Sequence, residues 1–246
     1  MTKREPLMSD TYLGDRVRFL SEEIQEILDD IPTCFDKQAA WFTVLRRRLA
    51  LLYTHYSAGY PIELLRTDLL AVVTSWEDLR AIEPRDLYDI SFKNDLTNYV
   101  ESLGMLSIAY LIRLEPEAVS RLLACVGNEG QDLLFERLVA VGGHGIGRKP
   151  AKKLLYPKAY QPLYDALDAS TEQRATLVKQ FLGDWYKRIK AVGWHNSHKG
   201  PEGGGFKGYW CWEAAGVALA FSINDSSFRD LPYYPKDLAD FARTNG

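Results

Sequence analysis

Near the start of this 246-residue chain the apolar positions Leu13, Val17, Leu20, Ile24, Ile27, Leu28 and Ile31 recur at three- and four-residue spacings. That rhythm sets them on one side of an α-helix. Glu22, Glu23, Glu26, Asp29 and Asp30 stand among them, so the polar side is acidic, and Pro32 marks the end. Asp36 then fits the N-cap of a second helix carrying Trp41, Val44, Leu45, Leu49, Leu52 and Tyr56. Gly59, able to adopt a left-handed backbone, stops it. Pro61 opens a third helix through Ile62, Leu65, Leu69, Val72, Val73 and Trp76 to Leu79. The link "GYP" is so short that the second and third helices are antiparallel neighbours.

Helical patterns continue over Asn94–Arg113, over "EPEAVSRLLACVG" with Pro116 near its start, and over Gln131–Val141. Residues 142–157, "GGHGIGRKPAKKLLYP", break the rhythm with glycines, a basic cluster and two prolines, and read as a loop. Ser170 followed by Gln173 is a capping-box pattern that opens a helix with Leu177, Phe181, Leu182, Trp185 and Ile189 before Gly193. Alternating segments bounded by hairpin turns are missing. The pattern therefore predicts an all-α fold, a compact bundle of roughly nine to eleven helices in two tightly packed helical lobes.

From Tyr209 to Ser222 apolar side chains fall on every side of the helical wheel, which marks a helix buried all round. Ala214, Ala215, Gly216, Ala218 and Ala220 let neighbours approach closely, while Trp210, Trp212 and Phe221 fill wider gaps. Glu213 is the one acid in this helix. A buried carboxylate stays neutral or finds a cation or several N–H donors. The nearest basic residues in sequence are His198, Lys199 and Lys207, so Glu213 is expected to clamp their loop, and Glu213→Gln to lower the melting temperature by several degrees. After a turn at Asn224–Ser227, Pro232 and Pro235 are expected to hold Tyr233 and Tyr234 extended. A short helix from Pro235 then turns Leu238, Phe241 and Ala242 inward.

Composition narrows the classes. The chain is 46% hydrophobic, ample for a core, and no apolar run approaches the roughly 20 residues that span a bilayer. The segment "MTKREPLMSD" lacks the apolar region of a secretory signal, which makes the cytoplasm the default compartment. Cys34, Cys125 and Cys211 are too scattered for a disulfide framework or a clustered metal site. The net charge of −3 hides an asymmetry: residues 1–130 hold 21 acids against 14 bases, and residues 131–246 hold 12 against 16. An acidic half disfavours nucleic acid and suits a basic protein partner, or is an ordinary solvated helix surface.

Candidate chemistry is sparse. "GGHGIGRK" has Walker-like glycines at Gly142 and Gly147, yet Arg148 and Lys149 stand where lysine and a hydroxyl belong, and the preceding segment reads as helix. In "GWHNSHK", His195 and His198 are three apart, and Asp184, Glu213 or Asp225 would have to complete a metal site. A metal-dependent hydrolase using His195, His198 and Glu213 is one reading. A loop whose polar side chains bond the backbone is the other, and it is preferred. His55 and His144 have no serine or cysteine beside them in sequence, and no triad can be assigned. A helical scaffold with no chemistry of its own is a third reading.

"GWHNSHK", "GYWCWEAAGVALAFSINDSSFRDLPYYPKDLADFAR" and, more loosely, "HYSAGYPIELLRTDLLAVVTSWEDL" resemble the PoNi family of immunity proteins. The strongest match runs from Trp194 to Arg243. The residues that carry it are Trp194, Ser197, His198, Lys199, Gly208, Tyr209, Trp210, Glu213, Asp225, Ser226, Ser227, Pro232, Tyr233, Tyr234 and Pro235. They look like core and loop-fixing positions. His195 and Asn196 stand where an aromatic and an acid are expected, and Cys211 replaces a commoner small polar residue. The resemblance implies N-terminal and C-terminal helical domains, 1–128 and 129–246, with no catalysis and no cofactor or metal. It implies binding to a cognate PoNe-type DNase toxin of interbacterial competition, delivered by a secretion system, with no direct nucleic-acid or membrane contact. The oligomeric state is left open, a homodimer included. A DNase needs a basic DNA-binding surface, so acids of the N-terminal half are the expected toxin-binding residues: Glu22, Glu23, Glu26, Asp29, Asp30, Glu77, Asp78, Asp86 and Asp89.

Overall fold

Short-range capping by a side chain places the starts of four helices among the described residues. In the computed structural model, which describes residues 2–82 and 90–245, Ser9 accepts the Tyr12 N–H at 3.0 Å and starts α1, Asp10–Asp30. Asp36 accepts the Ala39 N–H at 2.9 Å and starts α2, Lys37–Ser57. Each side chain satisfies a backbone donor that the first helical turn leaves free. Gly59 ends that stretch with φ +86°, and a Cβ there would collide with the Thr2 carbonyl, so both conformation and space demand glycine. Helix α3 spans Leu64–Arg80.

Asp95 caps α4, Leu96–Leu111, and Pro116 occupies the first turn of α5, Pro116–Val126, where its missing N–H costs nothing. Asp132 caps α6, Leu133–Val141. Its buried carboxylate also takes the Leu155 N–H at 2.8 Å and the Tyr99 hydroxyl at 3.0 Å. That one acid pins the irregular 142–157 stretch to α4 and α6.

Helix α7, Pro157–Asp165, was not expected from the sequence pattern. Pro162 inside it obscures the periodicity and removes a donor that would have served the Lys158 carbonyl. Arg188 supplies the replacement at 2.9 Å. The next helix, α8, Thr171–Arg188, begins after Ser170 as expected, but no side-chain capping bond forms there. The Ser170 hydroxyl turns to Glu172, and its carbonyl accepts the Gln173 N–H instead. Two 3-10 turns, Ser197–Lys199 and Pro201–Gly203, precede α9, Trp212–Ala220, and α10, Lys236–Thr244. Among the described residues there are ten α-helices and no strand, so the fold is all-α. None of these helices is long and apolar enough to cross a membrane.

The chain divides in space into two units that do not follow chain order. One joins Met1–Asp89 with Asn196–Tyr209, and the other joins Ile90–His195 with Trp210–Gly246. In the first, α2 packs between α1 and α3 around Leu20, Val44, Leu52, Tyr56, Leu65, Leu69 and Val72. The returning segment is tied in by the Tyr12 hydroxyl donating to the Phe206 carbonyl at 2.9 Å and by Ser57 donating to that of Lys207 at 2.8 Å.

In the second unit α9 is buried on every side from Trp212 to Ala218 and packs chiefly against α4, with α6, α8 and α10 around it. Phe92, Tyr99, Phe135, Tyr160, Phe181 and Trp185 form an aromatic core with edge-on and tilted ring contacts. The α4–α9 approach is limited at one point. A Cβ on Gly216 would come within 2.5 Å of the Ser107 Cβ and Oγ.

Gly216→Ala tests that limit. Alanine in an exposed helix gains about 1 kcal/mol over glycine, whereas overpacking a tight core costs about 1–3 kcal/mol. The variant is expected to lose stability in chemical denaturation, and Ser107→Gly in the same chain to restore it. A stabilised single variant would show that the two helices have room to spare.

Candidate functional site

Glu213 lies in the first turn of α9, where free N–H groups favour a carboxylate, and it is fully buried. Its Oε1 accepts the Trp185 indole N–H at 2.7 Å and the Tyr160 hydroxyl at 2.9 Å. The expected clamp through His198, Lys199 and Lys207 is thus replaced by two neutral donors from α7 and α8. These helices lie far from α9 in sequence, so adjacency along the chain misled the assignment. Burial pushes the Glu213 carboxyl up to about 7, against the opposing bonds from its own N–H, Trp185, Tyr160 and the Cys211 thiol. The Tyr160 hydroxyl and the Cys211 thiol are themselves driven well above their ordinary ranges, first by burial and then by this acid.

The same family-motif stretch holds a second buried acid. Asp225 accepts the Tyr234 hydroxyl at 2.9 Å and pairs with Arg243 at 2.7 Å and Arg229 at 3.5 Å. Arg229 continues to Asp240 at 2.6 Å, so the turn after α9 is locked to α10. Ser226 and Ser227 are exposed, and the Ser226 N–H closes a turn on Asn224. Tyr233 is not extended: its φ is +71°. It follows Pro232 rather than preceding a proline, and Tyr234 N–H reaches back to the Leu231 carbonyl, the pattern of a type II turn with Pro232 and Tyr233 at its centre. The Tyr233 carbonyl accepts the Cys211 N–H at 2.8 Å, and its ring stacks on Tyr186.

Trp194 lies against Trp185, and Trp210 against Trp212. Pro232 is exposed and Pro235 precedes α10. In the first unit the Tyr209 hydroxyl sits 2.8 Å from His198 Nδ1 and 3.4 Å from Ser197, Gly208 takes φ +94°, and Lys199 is exposed.

Other candidate chemistry is used up by local contacts. His195 stacks on Tyr186 with ring centres 4.2 Å apart, and His198 is bonded to Tyr209. Among the described residues no group of three His, Cys, Asp or Glu side chains gathers to hold a metal. Arg148, in the Walker-like segment, donates twice to Glu136 at 2.8 Å, and a helix precedes the loop. Tertiary structure does bring Ser120 within 3.2 Å of His144, a pair invisible along the chain. The Ser120 hydroxyl, however, donates to the Pro116 carbonyl at 2.9 Å, which leaves no activated nucleophile.

The acids split differently. Glu22, Glu26, Asp29 and Asp30 are exposed and follow one another at helical spacing along one side of α1. Among the described residues Glu22, Glu26 and Asp30 make no ion pair, and Asp29 accepts a bond from Gln25. Glu23 is turned aside into a two-point pair with Arg47 of α2, at 2.9 and 2.5 Å. Glu77 and Asp78 are half-buried on α3, and burial raises the Asp78 carboxyl despite nearby Arg48. Asp86 and Asp89 lie outside the described residues. The sequence pattern passed over Phe19, half-exposed on the acidic side of α1, and Phe35, fully exposed between α1 and α2. An apolar residue out of phase with Leu13, Leu20 and Ile24 was the available signal for Phe19.

Two family models match this chain. One, described as PoNe immunity protein (PoNi), N-terminal, covers residues 4–124; the other, PoNe immunity proteins (PoNi), C-terminal, covers residues 130–238. Among curated proteins none matches. The crystal structure of protein PA2201 from Pseudomonas aeruginosa is similar in fold, with a TM-score of 0.75 at 18% identity over 100% of this chain and 93% of that one.

Because the folded Glu213 carboxyl titrates near 7 against an ordinary 4.5, folding takes up a proton between those values. The associated stability is full at low pH and lost as pH rises through 7, amounting to about 3 kcal/mol. In Glu213→Gln the amide oxygen still accepts from Tyr160 and Trp185 and carries no charge. The variant is therefore expected to match the parent near pH 5 and to exceed it near pH 8, the reverse of what a lysine clamp demands. Denaturation curves across that range read the difference; parallel pH profiles for the two proteins would rule out a buried titration at this site.

Proposed function

We propose, from the premise that this chain belongs to the PoNe immunity protein (PoNi) family, that it neutralises a cognate PoNe-type DNase toxin by covering the toxin's DNA-binding surface with acidic helix α1. The family consists of immunity proteins and not enzymes, so the chain acts by binding. On this reading 1–128 and 129–246 are its N-terminal and C-terminal parts. It works in the cytoplasm of the producing cell, against a toxin used in interbacterial competition, and touches the toxin without touching DNA.

The supporting observation is the exposed stripe Glu22, Glu26, Asp29 and Asp30. A nuclease must hold a polyanion, and its affinity for DNA comes largely from lysines and arginines that meet phosphates. Carboxylates spaced along a rigid helix compete for those cations. Opposite fields also speed encounter, which suits an inhibitor that must reach the toxin before DNA is cut. Glu23, Glu77 and Asp78 are already engaged or half-buried, so they contribute to the field more than to direct contact.

Co-expression with the toxin encoded beside this chain's own gene is expected to restore growth and yield a co-purifying complex. Failure of both removes the basis of the proposal. With the complex in hand, Glu22→Lys, Glu26→Lys and Asp30→Lys together are expected to slow association about 10–100-fold and to flatten its dependence on salt, with the melting temperature kept. Glu23 is left in place because reversing it would break the pair with Arg47. Unchanged association kinetics would move the interface off α1.

A further inference from the structure

The turn between α1 and α2 has a construction that capping alone does not require. Thr33 and Cys34 both donate their N–H groups to the Asp30 carbonyl, at 3.0 and 2.9 Å. The Cys34 thiol donates to the Asp36 carbonyl at 3.4 Å, and the Asp36 side chain caps α2. This hydrogen-bonded turn presents Phe35 entirely to solvent, with a relative exposure of 104%. A phenyl ring held in water forgoes the stabilisation it would gain on burial. Beside it opens a pocket of about 350 Å³, with Ile27, Cys34, Ala39, Ala40 and Thr43 as its walls and Asp30 and Asp36 among its lining. Among the described residues neither of these two acids makes an ion pair.

We infer that this corner is the energetic centre of toxin binding: Phe35 packs against the toxin, and the pocket takes the aliphatic stem of an arginine or lysine whose charged head meets Asp30 and Asp36. The inference rests on the proposed function and adds to it the residues that hold the complex once α1 has steered it together. Charge complementarity selects the occupant. A wholly apolar side chain would leave Asp30 and Asp36 desolvated without a partner, whereas a long cation satisfies both the walls and the acids. Asp30 is also the C-terminal member of the α1 stripe, so the cation-rich surface drawn to Glu22 and Glu26 arrives here in the same encounter. An aromatic ring on a hydrogen-bonded turn offers a large apolar area with few rotatable bonds to fix on binding, which suits a dominant interface residue.

The test uses the full-length chain and the inactivated nuclease domain of the toxin encoded beside its gene. Affinity and dissociation rate are measured for the parent, Phe35→Ala, Ala40→Phe, which fills the pocket, and Ile146→Ala, an equally exposed apolar control in the other unit. Phe35→Ala and Ala40→Phe are each expected to weaken binding about 30-fold or more, mainly through faster dissociation, while the control stays within about threefold. Phe35 has no buried surface to lose, so its variant keeps the parent's melting temperature and the result does not depend on how Ala40→Phe folds. If the parent binds tightly and Phe35→Ala binds within about threefold of it, this corner is not the centre, and the proposed function still stands. If the parent neither binds nor protects, the function fails and the inference with it.

Discussion

The close approach of α9 to α4 is the constraint on which the second unit depends. Gly216 has no side chain where Ser107 stands, and this lets a helix of small residues run through the middle of the unit with neighbours on all sides. A helix buried all round has no solvent-facing side on which to place polar groups. Glu213 is therefore an exception that needs compensation, and it finds it in Tyr160 and Trp185, which bring α7 and α8 onto the same point. The acid costs burial energy and in exchange fixes where three helices meet. Asp132 and Asp225 repeat the device at the 142–157 stretch and at the C-terminal turn, each collecting donors from segments that would otherwise be free.

This arrangement separates the residues that carry the family resemblance from those proposed to face a partner. The motif from Trp194 to Pro235 is spent on buried bonds, ring stacking and left-handed turns, with Lys199, Ser226, Ser227 and Pro232 as its exposed members. Such residues tolerate little change because each satisfies a particular backbone or side-chain group. A surface that must fit one toxin has the opposite need, freedom to vary without unfolding the protein. Helix α1 offers that freedom: its inner side supplies Leu13, Leu20 and Ile24 to the first unit's core, and its outer carboxylates have few internal duties. The proposed division of labour follows from this, with steering by the α1 acids and holding by the corner at Phe35.

Much of the fold was legible along the chain because its determinants are local. The three- and four-residue rhythm of Leu13 to Ile31, the cap at Asp36, the start of α8 after Ser170, the stop at Gly59 and the all-round apolarity of α9 act within a few residues, so spacing reveals them. Helix α7 was not legible, since Pro162 breaks the pattern and a cation from α8 repairs the break. Tyr233 was misread because a proline constrains the residue before it more than the residue after it.

The sequence by itself determined the all-helical class, most helix positions, the acidic character of α1 and the membership of a family of immunity proteins. Tertiary structure decided which polar groups meet. It gave Glu213 to Tyr160 and Trp185 instead of the nearby lysines, withdrew Glu23 into a pair with Arg47, left Glu22, Glu26 and Asp30 to solvent, and set Phe35 beside a pocket. The reason is range. Helix formation and capping are settled within one or two turns of chain, whereas burial, pairing and exposure depend on neighbours brought from dozens of residues away.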